Sequence, residues 1–226
     1  RYPWPDPFDP RRVEDLEKQA KQLRLETDKA IVARSPQSAS FLEYGCWLRG
    51  DKQFYTDFYL YPEFVHRLLD KILEIQKQFY SAMFAVVGPY LDIIETSEDY
   101  GTQESLLISP EMLREFIFPR RRLLNIFIKS QVPQARILHH SCGAIKNIIP
   151  ELIETGVEIL NPVQPSARGM APEVLKDLYG DTLSFCGGID MFKTLQGNEK
   201  DITDEIQLRI QQMGAGGGYL LAPSNH

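Results

Sequence analysis

The sequence predicts an α/β chain folded as a (β/α)8 TIM barrel that is incomplete here, with about six strands placed. Two observations carry this reading. Apolar runs of strand length alternate with amphipathic helical stretches, the pattern of parallel strands joined by crossover helices. The runs also end in polar clusters, several bearing glycine, where parallel α/β enzymes build their sites. Because the clusters follow many strands rather than one, a barrel is favoured over an open sheet with a single switch point.

The first ten residues hold four prolines and read as an irregular lead-in. A solvent-exposed helix is expected from Arg11 to about Asp28, with Val13, Leu16 and Leu23 as its sparse apolar points. Ala30–Ala33 is the first strand candidate, running into Arg34-Ser35-Pro36-Gln37. Pro62 opens a second helix, with Val65, Leu68, Leu69, Ile72, Leu73 and Phe79 on one stripe. Leu91–Ile94 is a strand leading to Glu95 through Gly101. Ser109-Pro110-Glu111 supplies a capping hydroxyl, a first-turn proline and an acid at the positive helix end. That helix should kink at Pro119 and continue to about Lys129. Three further strands are expected at Arg136–Leu138, Val157–Leu160 and Thr182–Phe185, and a last one at Gly218–Ala222. Helices at 144–155, 172–179 and 201–213 separate them, stopped by Gly156, Gly180 and Gly214. Residues 1–226 read as a single barrel domain, a fragment of a longer one: a closed barrel needs eight strands, and the last strand here lacks a covering helix.

The 226 residues are 43% hydrophobic and 25% charged, with mean hydropathy −0.28, which excludes disordered and low-complexity classes. The longest apolar run, 81–94, is broken by Gly88, Pro89 and Asp92, so no membrane span and no secretory leader are expected, and a cytoplasmic location follows. A net charge of −6 repels phosphate backbones and argues against nucleic acid as a partner. The run Arg120-Arg121-Arg122 reads as one solvated helix face. Three cysteines, Cys46, Cys142 and Cys186, suit an intracellular chain in which a thiol is buried, reactive or metal-bound.

His140-Ser141-Cys142-Gly143 is the sharpest constellation. In an extended strand, positions i and i+2 share a face, so His140 and Cys142 point the same way, with Leu138, while Ile137 and His139 face the outer helices. An imidazole beside a thiolate suits Zn²⁺. A buried cysteine next to a hydrogen-bonded histidine fits the same pattern equally well. Glu98 and Asp99 are candidate catalytic acids and bases, in a loop where Asp99 could instead cap a turn. Gln103, Asn161, Gln164, Asp190 and Asn225 are candidate substrate-binding groups at strand ends. Gly187-Gly188 would allow a ligand close to the backbone, without the spacing of a dinucleotide site. Gly214–Gly218 reads as a helix stop and turn, and Met170, Met191 and Met213 as packing residues.

In this order the clusters resemble the uroporphyrinogen decarboxylase superfamily, which includes zinc- and corrinoid-dependent methyltransferases. The matching segments are Trp47-Leu48-Arg49-Gly50 with Asp57 and Pro62-Glu63, Glu98–Gln103 with Ser109-Pro110-Glu111, His140–Gly143, Gly187–Asp190, and Gly216–Pro223. The resemblance implies a (β/α)8 barrel longer than this chain. It places His140 and Cys142 on the methyltransferase side, where histidine, cysteine and a later cysteine hold zinc, since tetrapyrrole decarboxylases generally lack the pair. Where the later cysteine is expected, this chain has Ser224-Asn225-His226. His226 is therefore a candidate third ligand, with Asn225, Glu98 and Asp99 as alternatives and a zinc-free site as another.

The leading functional expectation is a methyltransferase acting between a small-molecule donor or thiol and a corrinoid carried by a separate protein, because no D-x-H-x-x-G pattern occurs here. Zinc would serve as a Lewis acid, with Glu98 or Asp99 completing its shell or moving a proton. A metal-independent decarboxylase of a tetrapyrrole or carboxylated aromatic is the second expectation, with Arg34 and Arg49 as its only candidate cations near strand or loop ends. A non-catalytic barrel homologue that binds a ligand is the third.

Overall fold

The computed structural model describes residues 4–37 and 40–225, so His226 lies outside the described residues. Its strands are β1 (Val32–Ala33), β2 (Ile93–Ser97), β3 (Arg136–His140), β4 (Ile159–Val163), β5 (Ser184–Ile189) and β6 (Tyr219–Pro223). The helices are α1 (Leu16–Glu26), α2 (Phe41–Arg49), α3 (Asp51–Leu60), α4 (Pro62–Val87), α5 (Pro110–Met112), α6 (Phe118–Gln131), α7 (Ile149–Glu154), α8 (Pro172–Tyr179) and α9 (Glu199–Met213). The sheet order follows the chain, β1-β2-β3-β4-β5-β6. Pairing is parallel at β1–β2, β3–β4, β4–β5 and β5–β6. This is the α/β, sequential parallel order of a (β/α)8 barrel, with six of its strands among the described residues. No described helix is long and apolar enough to cross a membrane.

Contacts divide the chain into two units, the first drawn from residues 1–96 and 115–137, the second from 97–114 and 138–226. In the first, α4 is the central helix. Pro62 sits at its first turn, and Val65, Leu69, Ile72, Leu73, Phe79 and Met83 are buried along one stripe, packed against α1, α2, α3 and α6. Each such side chain contributes about 1.5–3 kcal/mol by leaving water. Helices α2 and α3 have weak sequence signals: neither has a side-chain cap, and aromatic and polar residues alternate in them without a clear stripe. Tertiary packing makes them. A Cβ at Gly45 would lie 2.1 Å from the Phe54 ring, so only glycine lets α2 approach α3 this closely.

Of the arginine run, only Arg122 is exposed; the other two are not on a solvated face. Arg120 is 7% exposed and donates to Asp70 Oδ1 at 2.8 Å and to the Phe116 carbonyl at 2.7 Å. Arg121 is fully buried, donates to Ser40 Oγ at 2.7 Å and lies over the Phe41 ring. Paired guanidinium groups bury where unpaired ones would not. Upstream of Pro119 the helix runs through a π segment, Leu113–Ile117. The proline has no N–H for the preceding turn, and the wider winding absorbs the gap.

Both cations of the decarboxylase reading face carboxylates: Arg34 Nε is 3.6 Å from Glu95, and Arg49 Nε 2.8 Å from Asp57. The Asp57 side chain is fully buried, and its carboxyl is held below its ordinary value chiefly by Arg49, with burial opposing and Gln53 assisting. A depressed acid contributes stability above the unfolded value of about 3.9 and loses it as pH falls through the lower folded value. The gap in melting temperature between the wild type and Asp57→Asn is therefore expected to be constant from pH 7 to 5 and to shrink below about pH 4; a gap that widens on acidification would contradict the assignment.

The strands end later than the sequence suggests, and β2, β4 and β5 each begin two residues later than expected, at Ile93, Ile159 and Ser184. β3 includes His139 and His140, β4 includes Asn161–Val163, and β5 continues to Ile189. Pro162 is tolerated inside β4 because the β4–β5 register shifts between Leu160 and Val163, where no ladder donor is needed. Gly187 and Gly188 take up a different neighbour from the expected ligand. A Cβ at Gly187 (φ +113°) would lie 2.9 Å from the Val163 backbone nitrogen, so the close approach is that of β4 itself. Met170 and Met213 are fully buried, as packing residues should be, and Met191 is half-buried. Helix α9 packs on β5 and β6 and starts in a capping box of Asn198 and Asp201.

Candidate metal centre

At the C-terminal end of β3 the chain stays extended one residue beyond the strand, because the Ser141 N–H donates to the Asn161 carbonyl at 2.7 Å. The i, i+2 relation therefore survives, and Cys142 Sγ lies 3.4 Å from His140 Nε2. The next strand end supplies a third donor. The Glu98 N–H donates to the His140 carbonyl, which sets Asp99 beside the turn, and Asp99 Oδ1 accepts the Cys142 N–H at 2.7 Å. The same oxygen is 3.9 Å from His140 Nε2. One donor atom each from Asp99, His140 and Cys142 thus lie within 4.8 Å of one another, all three side chains half-buried.

Three amide side chains hold this cluster. Asn161 Oδ1 is 2.6 Å from His140 Nδ1; with the proton on Nδ1 donated to that oxygen, Nε2 is left with its lone pair facing Cys142. Gln164, 2% exposed, accepts the Gly143 N–H at 2.8 Å. Asn225 Nδ2 lies 3.4 Å from Cys142 Sγ. Gly143 (φ +91°) closes the turn: a Cβ there would lie 2.5 Å from the Thr102 carbonyl oxygen, and the Ala144 N–H donates to that same oxygen. The Ser141 hydroxyl, fully buried, accepts the Tyr100 N–H at 3.1 Å and ties the two strand ends together. Sequence reasoning passed over Ser141, although its place between His140 and Cys142 puts it on the opposite face, the helix-facing side it shares with Ile137 and His139.

The remaining candidates fall elsewhere. Glu98 is fully buried with its carboxylate 3.3 Å from the Tyr100 hydroxyl, outside the converging set. Gln103 is exposed. Asp190 caps its own loop, accepting the N–H groups of Phe192 and Lys193. His226 lies outside the described residues. Of the five groups expected to bind substrate, Asn161, Gln164 and Asn225 make side-chain contacts within the cluster or its turn.

The donor spacing suits zinc. For tetrahedral Zn²⁺, bond lengths near 2.3 Å to sulfur and 2.0–2.1 Å to nitrogen separate S and N by about 3.6 Å, and N and O by about 3.4 Å. The separations here are 3.4 and 3.9 Å. Among the described residues the cluster offers three protein donors, one fewer than tetrahedral zinc takes.

The family model for uroporphyrinogen decarboxylase (URO-D) matches residues 35–225. The chain belongs to that family. No curated protein matches this URO-D family chain by sequence. Among solved structures, a methyltransferase from Methanosarcina mazei is similar in fold, with a TM-score of 0.72 at 19% identity; the match covers 95% of this chain and 58% of that one. The URO-D family chain therefore spans less than two thirds of that relative's length.

Proposed function

We propose that this URO-D family chain is the metal-holding part of a cytoplasmic methyltransferase. It would move a methyl group between a small-molecule donor or thiol and a corrinoid borne by a separate protein. The observation that carries this reading is the convergence of Asp99, His140 and Cys142, with an imidazole already oriented from behind by Asn161. The fold shared with a methyltransferase supports it. So does the two-point pairing of Arg49 with the buried Asp57, which occupies one of the decarboxylase reading's two candidate cations.

In this reading Asp99, His140 and Cys142 hold Zn²⁺, which when bound supplies Lewis acidity that stabilises negative charge on a thiol or ether heteroatom. Asn161 keeps the proton on His140 Nδ1 and the ring plane fixed. Gln164 and Asp99 hold the 142–143 backbone, so the cysteine sulfur keeps its direction.

The test is methyl transfer between a methylated corrinoid protein and a panel of thiols, followed by the corrinoid absorbance. Zinc-loaded protein is expected to transfer the methyl group, and Cys142→Ser to lose at least about 100-fold in rate, beyond what changes around a metal's ligands cost. Turnover of uroporphyrinogen by metal-free protein, with no methyl transfer, would establish the decarboxylase reading instead.

A further inference from the structure

Asn225 stands at the C-terminal end of β6, two residues past Pro223, and its side-chain nitrogen lies 3.4 Å from Cys142 Sγ, a residue 83 positions away in sequence. Neither the strand ladder nor the turn needs this contact. The Ser224 N–H already donates to the Ile189 carbonyl, and the Ser224 hydroxyl accepts the Met191 N–H, so the backbone at the end of β6 is anchored without the asparagine side chain. The carboxamide is thus delivered to the sulfur by a fixed backbone. The amide nitrogen faces the sulfur, which accepts a hydrogen bond as thiol or thiolate.

We propose that Asn225 is the positioning residue for the Cys142 sulfur: its N–H donates to Sγ, holds the thiolate toward His140 and Asp99, and draws electron density from it. The proposal rests on the metal-centre reading for its purpose, though the hydrogen bond itself does not need a metal. An amide N–H is the neutral counterpart of a fourth ligand. It stabilises the sulfur without occupying the position a substrate heteroatom would use.

The experiment compares the wild type with Asn225→Leu, which keeps the size and removes the donor, and Asn225→Gln, which restores one. Two quantities are read. In metal-free protein, the alkylation rate of Cys142 by iodoacetamide, located by peptide mass spectrometry, is taken at pH high enough for full ionisation. There the leucine variant should react several-fold faster, its thiolate no longer damped by a donor, with glutamine between the two. Zinc affinity, by chelator competition, should fall about 10-fold or more in the leucine variant and recover in part with glutamine.

An alkylation rate in Asn225→Leu equal to the wild type overturns the proposal whatever the metal does. If zinc affinity falls while alkylation is unchanged, Asn225 acts on the ion through its oxygen and the proposal is again overturned. A wild type that takes up no zinc defeats the metal-centre reading, while the alkylation arm still decides Asn225.

Discussion

Cys142→Ser is expected to bind zinc more than about 100-fold more weakly than the wild type, while melting within a few degrees of it. Loss of a group that only supports a ligand typically costs 10–100-fold, so removal of a ligand should exceed that range. A serine hydroxyl stays protonated at neutral pH and is a poor replacement for a thiolate at ~2.3 Å from zinc. The Cys142 N–H to Asp99 is a backbone bond, so serine keeps it and the turn survives. His140→Ala should behave alike. Asp99 needs a finer substitution, since its Oδ1 both faces the cluster and accepts the Cys142 N–H. Asp99→Asn keeps an acceptor for the backbone and loses the charge, so it should lower zinc affinity with little effect on melting. Chelator competition alongside thermal melting checks all three. Equal zinc affinity in Cys142→Ser and the wild type would remove the sulfur from the site.

Gly143→Ala is expected to be the most damaging single substitution to the site's scaffold. At φ +91° a side chain costs ~1–2 kcal/mol in backbone strain alone. The added methyl would lie 2.5–2.6 Å from Gly101 and Thr102 backbone atoms, which have no flexible end to move aside. Overpacking of this kind adds ~1–3 kcal/mol, for roughly 2–5 kcal/mol in all. For a chain of this length that is about 5–15 °C in melting temperature. Gly50→Ala is the control: its φ is +81° with nothing within 4 Å, so only the backbone cost applies. A melting temperature of Gly143→Ala no lower than that of Gly50→Ala would contradict the packed turn. Zinc affinity should fall with stability in Gly143→Ala, since the substitution pushes the Asp99 loop away from Cys142.

Much of the fold was legible because the dominant signals are local. Pro62 and the α4 stripe, the Ser109 cap and the glycine stops act within a turn or two, and the corresponding elements form where expected. Helices α2 and α3 were not legible, because the glycine–aromatic contact that seats them joins residues of two different helices. The ends of β2, β3, β4 and β5 lie beyond the apolar runs, because polar residues that look like loop chemistry keep ladder pairing and Pro162 sits at the β4–β5 register shift. Arg120 and Arg121 look like a solvated run until Asp70 and Ser40 are brought to them from distant helix and loop positions. At the candidate site, the proximity of His140 and Cys142 follows from strand parity, a two-residue rule. Asp99 reaches them only because one strand end lies beside another, and spacing along the chain cannot show that. Asn161, Gln164 and Asn225 reach neighbouring groups of the cluster, and an amide at a strand end carries no sign in sequence of whether its partner is a ligand or a neighbouring side chain.

The most direct measurement is X-ray absorption at the zinc edge on protein loaded with one equivalent of metal. A single sulfur at about 2.3 Å with two or three nitrogen or oxygen neighbours near 2.0–2.1 Å is the expected shell, and the sulfur should vanish in Cys142→Ser. Zinc washed out by mild chelation, or held in a shell of nitrogen and oxygen alone, would contradict a centre built on Asp99, His140 and Cys142.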